Sequence, residues 1–243
     1  MSGKAAGLII GNEVLTAKVT EANGTWLTKR LREHGVPLAA LAVVPDDVDS
    51  IVEALQLLKR RAKWIVTSGG VGPTHDDVTV RAVALALGRR VVRLLEIEQL
   101  VKEHYGDRVT PEALRLADAP EGSELWSQEG MRYPVLTCDG IFMLPGVPQL
   151  FRMQLETVLA RLPASPLAMS VLYLSASEPE IARALDQVAL AMPHVAIGSY
   201  PSFDEGSGFK VKVTIEHASL QPVAEAVKRL EQVLPNGSIL RRE

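Results

Sequence analysis

"TSGGVGPTHDDVT", residues 67–79, follows the strand-like run Trp64-Ile65-Val66 and leads into the helix-like run Val80-Arg81-Ala82-Val83. Three glycines, a proline and two adjacent aspartates therefore stand between a strand and a helix. Glycine turns ahead of a helix expose backbone N–H groups that attract an anion. Aspartates at the same place repel that anion unless a cation lies between them. Mg²⁺ binds through one or two carboxylates plus substrate phosphates. The stretch is thus read as glycine amides for phosphate oxygens and aspartates for a bridging divalent metal.

Working outward, strand-like and helix-like segments alternate. Gly7-Leu8-Ile9-Ile10 reads as a buried strand, and a helix from about Asn23 to His34 sets Leu27 and Leu31 on one face. Leu38 to Val44 is a continuous apolar run, expected of a parallel strand covered on both faces. A helix with Ile51, Leu55 and Leu58 follows, and then the strand Trp64 to Thr67. The helix after the glycines carries Val80, Val83, Ala84 and Leu87 and stops at Gly88. Ile141 to Leu144 is a strand, and Pro148 to Leu162 a helix with proline in a permitted first-turn position. This rhythm predicts an α/β fold of three layers, a mostly parallel sheet with helices on both faces.

Leu162-Pro163-Ala164-Ser165-Pro166 breaks the rhythm, dividing a first domain over residues 1–163 from a smaller one over 167–243. The second reads as strand (Ser170 to Leu174), helix (Pro179 to Ala191), two strands (Val195 to Tyr200, Phe209 to His217) and helix (Leu220 to Leu234). That order is expected to give a small α+β, KH-like unit.

Bulk properties exclude several classes. With 47% hydrophobic and 23% charged residues, the 243-residue chain has an ordinary globular composition. A net charge of −3 gives no electrostatic footprint for nucleic acid or an anionic membrane. Cys138 is the single cysteine, so neither an internal disulfide nor a thiolate metal cluster is available. No apolar run approaches the ~20 residues of a membrane span. A cytoplasmic protein with no membrane or nucleic-acid partner is expected.

In open parallel sheets, ligands bind at the carboxyl ends of the strands. Here those ends carry Gly11-Asn12-Glu13, Pro45-Asp46-Asp47, the glycine–aspartate stretch, and Pro145-Gly146-Val147-Pro148. Each piece has a structural alternative. Without a Lys-Ser/Thr ending the loop is not a P-loop. Thr74 with Asp77 resembles a capping box, and Asp46 or Asp47 could simply cap the next helix. Glu13 could be a turn residue, Asn23 a cap, and His75 a surface side chain. Against these stands the number of carboxylates: a cap needs one, whereas this edge has Glu13, Asp46, Asp47, Asp76 and Asp77.

"SGGVGPTHDDVT" resembles the signature of the molybdopterin-binding (MoaB/Mog-like) domain. Adding "GNEVLTAKVTEAN", "VVPDDVDSI", "FMLPGVPQLFRMQLE" and "IGSYPSFDEGSGFKVKVTI", the chain is similar to the amino-terminal module of CinA-type competence/damage-inducible proteins, and most of all to that of eukaryotic FAD synthases. The resemblance implies one of three activities. These are a divalent-metal-dependent pyrophosphatase cleaving ADP-ribose- or FAD-type dinucleotides to AMP, molybdopterin binding with adenylyl transfer, or a non-catalytic nucleotide-binding module. It implies a nucleotide or pterin ligand, Mg, Mn or Co as metal, and a homo-oligomer, a dimer in preference to a trimer.

Carried over residue by residue, the family's essential aspartates fall on Asp46 and Asp77, with Asp76 a third candidate metal ligand. The candidate substrate contacts are Gly11, Glu13, Asn23, Ser68, Gly69, Gly70, Gly72, Pro73, Thr74, Pro145 and Gly146. Two positions depart from the pattern: Asn12 replaces the usual aspartate and Ala17 a common glycine. A chain ending at Glu243 is expected to carry neither amidohydrolase nor adenylyltransferase activity.

Overall fold

The computed structural model describes residues 3–243, apart from the side chain of residue 205. It falls into two units, one ending at Ala164 and the other running from Ser165 to Glu243.

The first unit opens with β1 (Ala5–Ile10), α1 (Asn12–Leu15), α2 (Asn23–His34), β2 (Leu38–Val44), α3 (Val48–Lys59), β3 (Trp64–Ser68) and α4 (Thr79–Leu87). It continues with β4 (Val91–Arg93), α5 (Leu95–Tyr105), β5 (Asp118–Pro120), β6 (Glu124–Trp126), β7 (Val135–Cys138), β8 (Ile141–Leu144) and α6 (Pro148–Leu159). Six strands form one sheet in the order β2-β1-β3-β8-β7-β6. The β2–β1, β1–β3 and β3–β8 pairs are parallel. The β8–β7 and β7–β6 pairs are antiparallel.

Alternation along the strands supplies both faces. Val66, Phe142 and Leu144 meet Leu27 and Leu31 of α2 and Phe151 and Leu155 of α6. Leu8, Ile65, Ile141 and Met143 meet Ile51 and Leu55 of α3 and Val83 of α4. The result is the expected three-layer, mostly parallel α/β architecture. Gly35 (φ 79) and Gly88 (φ 64) end α2 and α4 in the left-handed conformation that closes many helices.

Three features depart from expectation. β2 is an edge strand, not one covered on both faces; Leu41 and Val43 are 42% and 38% exposed. An unbroken apolar run cannot tell a central strand from an edge strand that shields only one flank. Secondly, the stretch between α4 and β8 contains strands and a helix that no strong periodicity announced. The clearest missed signal is Asp139-Gly140, where φ values of 48° and 78° make the two-residue turn of the β7–β8 hairpin. Asp-Gly between apolar runs favours such a turn because both residues need positive φ. Thirdly, Asn23 does not cap α2. The Glu21 carboxylate does so, accepting hydrogen bonds from the N–H groups of Gly24 (2.6 Å) and Thr25 (3.2 Å).

Ala17, between α1 and α2, sits at φ 54°, where an L-side chain is strained. Ala17→Gly is therefore expected to stabilise the protein by up to about 1 kcal/mol, the relieved strain outweighing the extra unfolded-state entropy of glycine. Urea unfolding of the two proteins side by side checks this; a lower midpoint for the glycine variant would contradict it.

The second unit comprises β9 (Ala168–Leu174), α7 (Glu178–Ala191), β10 (Ala196–Pro201), β11 (Val211–His217), α8 (Leu220–Val233) and β12 (Ile239–Arg242). Its sheet has the order β10-β11-β9-β12 and is antiparallel throughout. This β-α-β-β-α-β course is the ferredoxin-like arrangement and corrects the KH-like expectation. The correction comes from β12. Its sequence, Ile-Leu-Arg-Arg, turns only Ile239 against the core, leaving little apolar pattern to read. Leu172, Leu174, Val213, Ile215, Val227 and Leu230 form that core beneath α7 and α8. A capping box between Ser177 and Glu180 starts α7. Among the described residues, no helix is long and apolar enough to cross a membrane.

Candidate functional site

The sheet order explains where a ligand can sit. From β1 the chain passes through α2, on the α6 face, to β2; from β3 it passes into α4, on the α3 face. Connections leaving neighbouring parallel strands for opposite faces open a crevice at their carboxyl ends. Register aligns the four ends: Ile10 beside Val44, Ile9 beside Ser68, and Ser68 beside Leu144. Pro45, Gly11, Gly69 and Pro145 therefore follow one another along a single edge, as the strand order requires.

The glycine turn is fixed by close approach. Gly69 has φ 104°, and a Cβ there would lie 2.2 Å from the carbonyl oxygen of Ile10. Gly70 has φ 65°, and its Cβ would lie 2.4 Å from Thr79 Oγ1. A Cβ on Gly72 would meet the Asp77 carboxylate at 2.6 Å, and one on Gly11 the Glu13 carboxylate at 2.5 Å. Buried Thr79, the first residue of α4, staples the turn: its hydroxyl donates to Gly69 O (2.8 Å) and its N–H to Gly70 O (2.9 Å). Gly69 N–H is spent on Leu144 O at 3.1 Å. The N–H groups of Gly70, Val71 and Gly72 donate no hydrogen bond to the described residues. Such partly exposed amides are available to an anion.

The structural alternatives for the carboxylates now separate. Asp47 is a helix cap: it accepts from Ser50 N–H at 2.8 Å, a bond that also lowers its pKa. Asp46 does not cap; its Oδ2 accepts from Asn12 N–H at 2.7 Å, tying the end of β2 to the turn after β1. Only the backbone of Asn12 enters this bond, so an asparagine there preserves it. Asp77 does not cap α4, whose N-cap is Val78 without a side-chain bond. Instead, Asp77 Oδ2 accepts from both the N–H and the hydroxyl of Thr74, closing the turn inside the loop. Oδ1 of Asp46 and Oδ1 of Asp77 remain without a hydrogen bond to the described residues.

Asn23 ties the third part of the edge together. It is buried, and its Nδ2 donates to Ser68 Oγ and to Gly146 O, both at 2.8 Å. The Gly146 carbonyl needs a donor, which sets the orientation of the amide. Asn23 Oδ1 is left buried without a hydrogen-bond partner among the described residues. Pro145-Gly146 packs against the glycine turn, with a Gly146 Cβ position 3.4 Å from Gly69 Cα.

Other predicted residues are less tightly held. Glu13 is exposed in α1, and the Asp76 side chain is 60% exposed. His75, 96% exposed and 3.9 Å from Asp76, is a surface side chain. Among the described residues, no three of His, Cys, Asp and Glu assemble into a ready metal cage. A metal here would draw on single carboxylates and on ligand oxygens, which is how Mg²⁺ is commonly held. Sequence reading missed Thr79 and Arg115. Arg115, far along the chain, brings its guanidinium to within 3.5 Å of the Pro73 carbonyl.

Comparison with known proteins identifies the family. Residues 6–167 match the family described as probable molybdopterin binding domain, and residues 166–243 match the middle domain of FAD synthase. A protein of Archaeoglobus fulgidus is 31% identical over 227 residues, covering 93% of this chain and 95% of its own. A probable FAD synthase of Caenorhabditis elegans is 30% identical over 259 residues; the match covers 95% of this chain but 50% of that protein. The crystal structure of CinA from Thermoplasma acidophilum superposes with a TM-score of 0.61 at 28% identity, covering 66% of this chain and 98% of that one. With the glycine–aspartate loop at its switch point and this match over most of its length, the chain belongs to the molybdopterin-binding (MoaB/Mog-like) domain family.

Proposed function

We propose that the chain is a divalent-metal-dependent nucleotide pyrophosphatase, cleaving ADP-ribose- or FAD-type dinucleotides to AMP and a second phosphorylated product. One observation carries this reading: three unpartnered amides, Gly70 to Gly72, share the switch-point edge with Asp46 and Asp77, each keeping a free carboxylate oxygen. Amides alone would serve any phosphate, and carboxylates alone would serve any cation. Their juxtaposition suits a phosphoanhydride carried with a metal.

Asp46 and Asp77 would hold the metal through those oxygens. When bound, a divalent ion polarises a phosphoryl oxygen and makes water a better nucleophile near neutral pH. The amides of the glycine turn stabilise charge that develops on the phosphoryl oxygens. Thr79 and Thr74 keep the turn and Asp77 in place, and Asn23 locks the Pro145-Gly146 turn against them. Hydrolysis forms a phosphorus–oxygen bond to water and breaks the bridging bond of the anhydride, leaving one phosphate on each product. His75 has no part in this scheme.

The family match favours a second reading, in which the same cradle holds the phosphate of molybdopterin. Incubating the protein with FAD, ADP-ribose and related dinucleotides in Mg²⁺, Mn²⁺ or Co²⁺ separates the two. AMP release dependent on the metal is expected. No cleavage of any dinucleotide, together with tight molybdopterin binding, would establish the second reading instead.

We also expect self-association as a dimer. The β2 edge leaves backbone groups unpaired and Leu41 and Val43 half in water, and such an edge is usually covered. Light scattering at micromolar concentration reads the mass directly; a monomer would contradict the expectation and a trimer would correct its order.

A further inference from the structure

We infer that Arg115 is a specificity-determining residue that selects ligands carrying two linked phosphates. The inference rests on the proposed anion cradle and extends it from a phosphate to a diphosphate. Arg115 comes from a 3-10 turn, Ala113–Ala117, between α5 and β5. That turn is anchored on both sides of the arginine. Ala113 and Ala117 are buried against Ile97 and Val101 of α5, and Ala117 O accepts from Leu94 N–H at 2.8 Å. The arginine between them is exposed and directed to the glycine–aspartate loop, where Nη1 lies 3.5 Å from Pro73 O.

Its other donors make no hydrogen bond to the described residues. Arg89, Arg90 and Arg93 of the same segment pair with Asp139, Glu121 and Asp118. Among the described residues Arg115 makes no direct ion pair, although the Glu112 carboxylate feels its charge and Asp76 and Asp77 follow Pro73 within the loop it approaches. A guanidinium has five N–H donors in a planar fork suited to phosphate oxygens. Pro73 immediately follows the free amides of Gly70 to Gly72, so cradle and cation are consecutive along one loop. An anion filling only the amides leaves the guanidinium in water. An anion continuing towards Pro73 meets it. A single phosphate fits the first case and a diphosphate the second, so Arg115 favours dinucleotide pyrophosphates over monophosphate ligands.

The test is calorimetric binding of inorganic pyrophosphate and inorganic phosphate, in Mg²⁺, to the wild-type chain, Arg115→Gln and Arg115→Lys. Neither anion requires turnover, so the result stands apart from the pyrophosphatase reading. Arg115→Gln should weaken pyrophosphate about 10-fold and phosphate less than 2-fold, as expected for one charge-assisted contact. Arg115→Lys should recover part of the loss, and the salt dependence of pyrophosphate binding should flatten in Arg115→Gln alone. Equal losses for both anions, or none for pyrophosphate, would overturn the inference and leave Arg115 as a clamp on the Pro73 carbonyl. Wild-type protein that binds neither anion would overturn cradle and inference together. A selective loss in a protein that cleaves no dinucleotide would retain Arg115 and remove the pyrophosphatase reading.

Discussion

Asp77→Asn and Asp46→Asn are each expected to lower metal-dependent AMP release by about 100-fold or more while leaving the fold in place. The expected size follows from the ligand role proposed for both aspartates, since even partners behind a metal ligand typically cost about 10- to 100-fold. The structure makes asparagine an informative replacement. Asp77 holds its turn through Oδ2, which accepts from Thr74 N–H at 2.8 Å, and an asparagine carbonyl can keep that bond. Asp46 accepts from Asn12 N–H at 2.7 Å, and the same argument applies. What disappears is the charge on the remaining oxygen. Asp47→Asn is the matched control: it caps α3, asparagine caps as well as aspartate, and AMP release should persist. Steady-state rates with ADP-ribose or FAD, and metal titration in the presence of nucleotide, measure both effects. Full activity in the Asp46 and Asp77 variants would return both residues to structure.

Gly69→Ala is expected to destabilise the first unit by about 3 kcal/mol or more. Two costs add. A φ of 104° lies where only glycine rests without strain, at roughly 1–3 kcal/mol for a residue forced there. The new methyl would also stand 2.2 Å from Ile10 O, a backbone atom at the end of a buried strand that cannot swing aside. Relief requires β1 and β3 to separate at the crevice, so anion binding at the loop should fall as well. Urea unfolding should show a much lower midpoint, and a phosphate titration weaker binding. Gly88→Ala provides a contrast. Its φ of 64° carries strain, yet no atom lies within 4 Å of the added Cβ, so its cost should stay near 1 kcal/mol. Equal effects at the two positions would show that close approach to Ile10 is not what demands glycine at position 69.

Local pattern was enough to find the layers. Leu27 with Leu31, Ile51 with Leu55, and the apolar strands ending in glycine or proline obey periods that the backbone imposes wherever it goes. The turn from Ser68 to Asp77 was legible for a similar reason: consecutive glycines between a strand and a helix mark a chain reversal that residues with a Cβ resist. The sequence alone thus determined the strand–turn–helix rhythm, the sheet edge at which glycine turns and carboxylates collect, and the set of aspartates from which the proposed pair is drawn. It left open which of Asp46 and Asp47 caps, because adjacent aspartates are chemically identical. Only the tertiary structure decided between them, through hydrogen bonds to Asn12 N–H and Ser50 N–H. It also placed β2 at an edge, recruited β12 to complete the second sheet, and brought Arg115 against a loop forty-two residues earlier in the chain. Those outcomes depend on which surfaces meet. Contact between residues distant in sequence follows from the packing of whole elements, and periodicity within one element does not encode it.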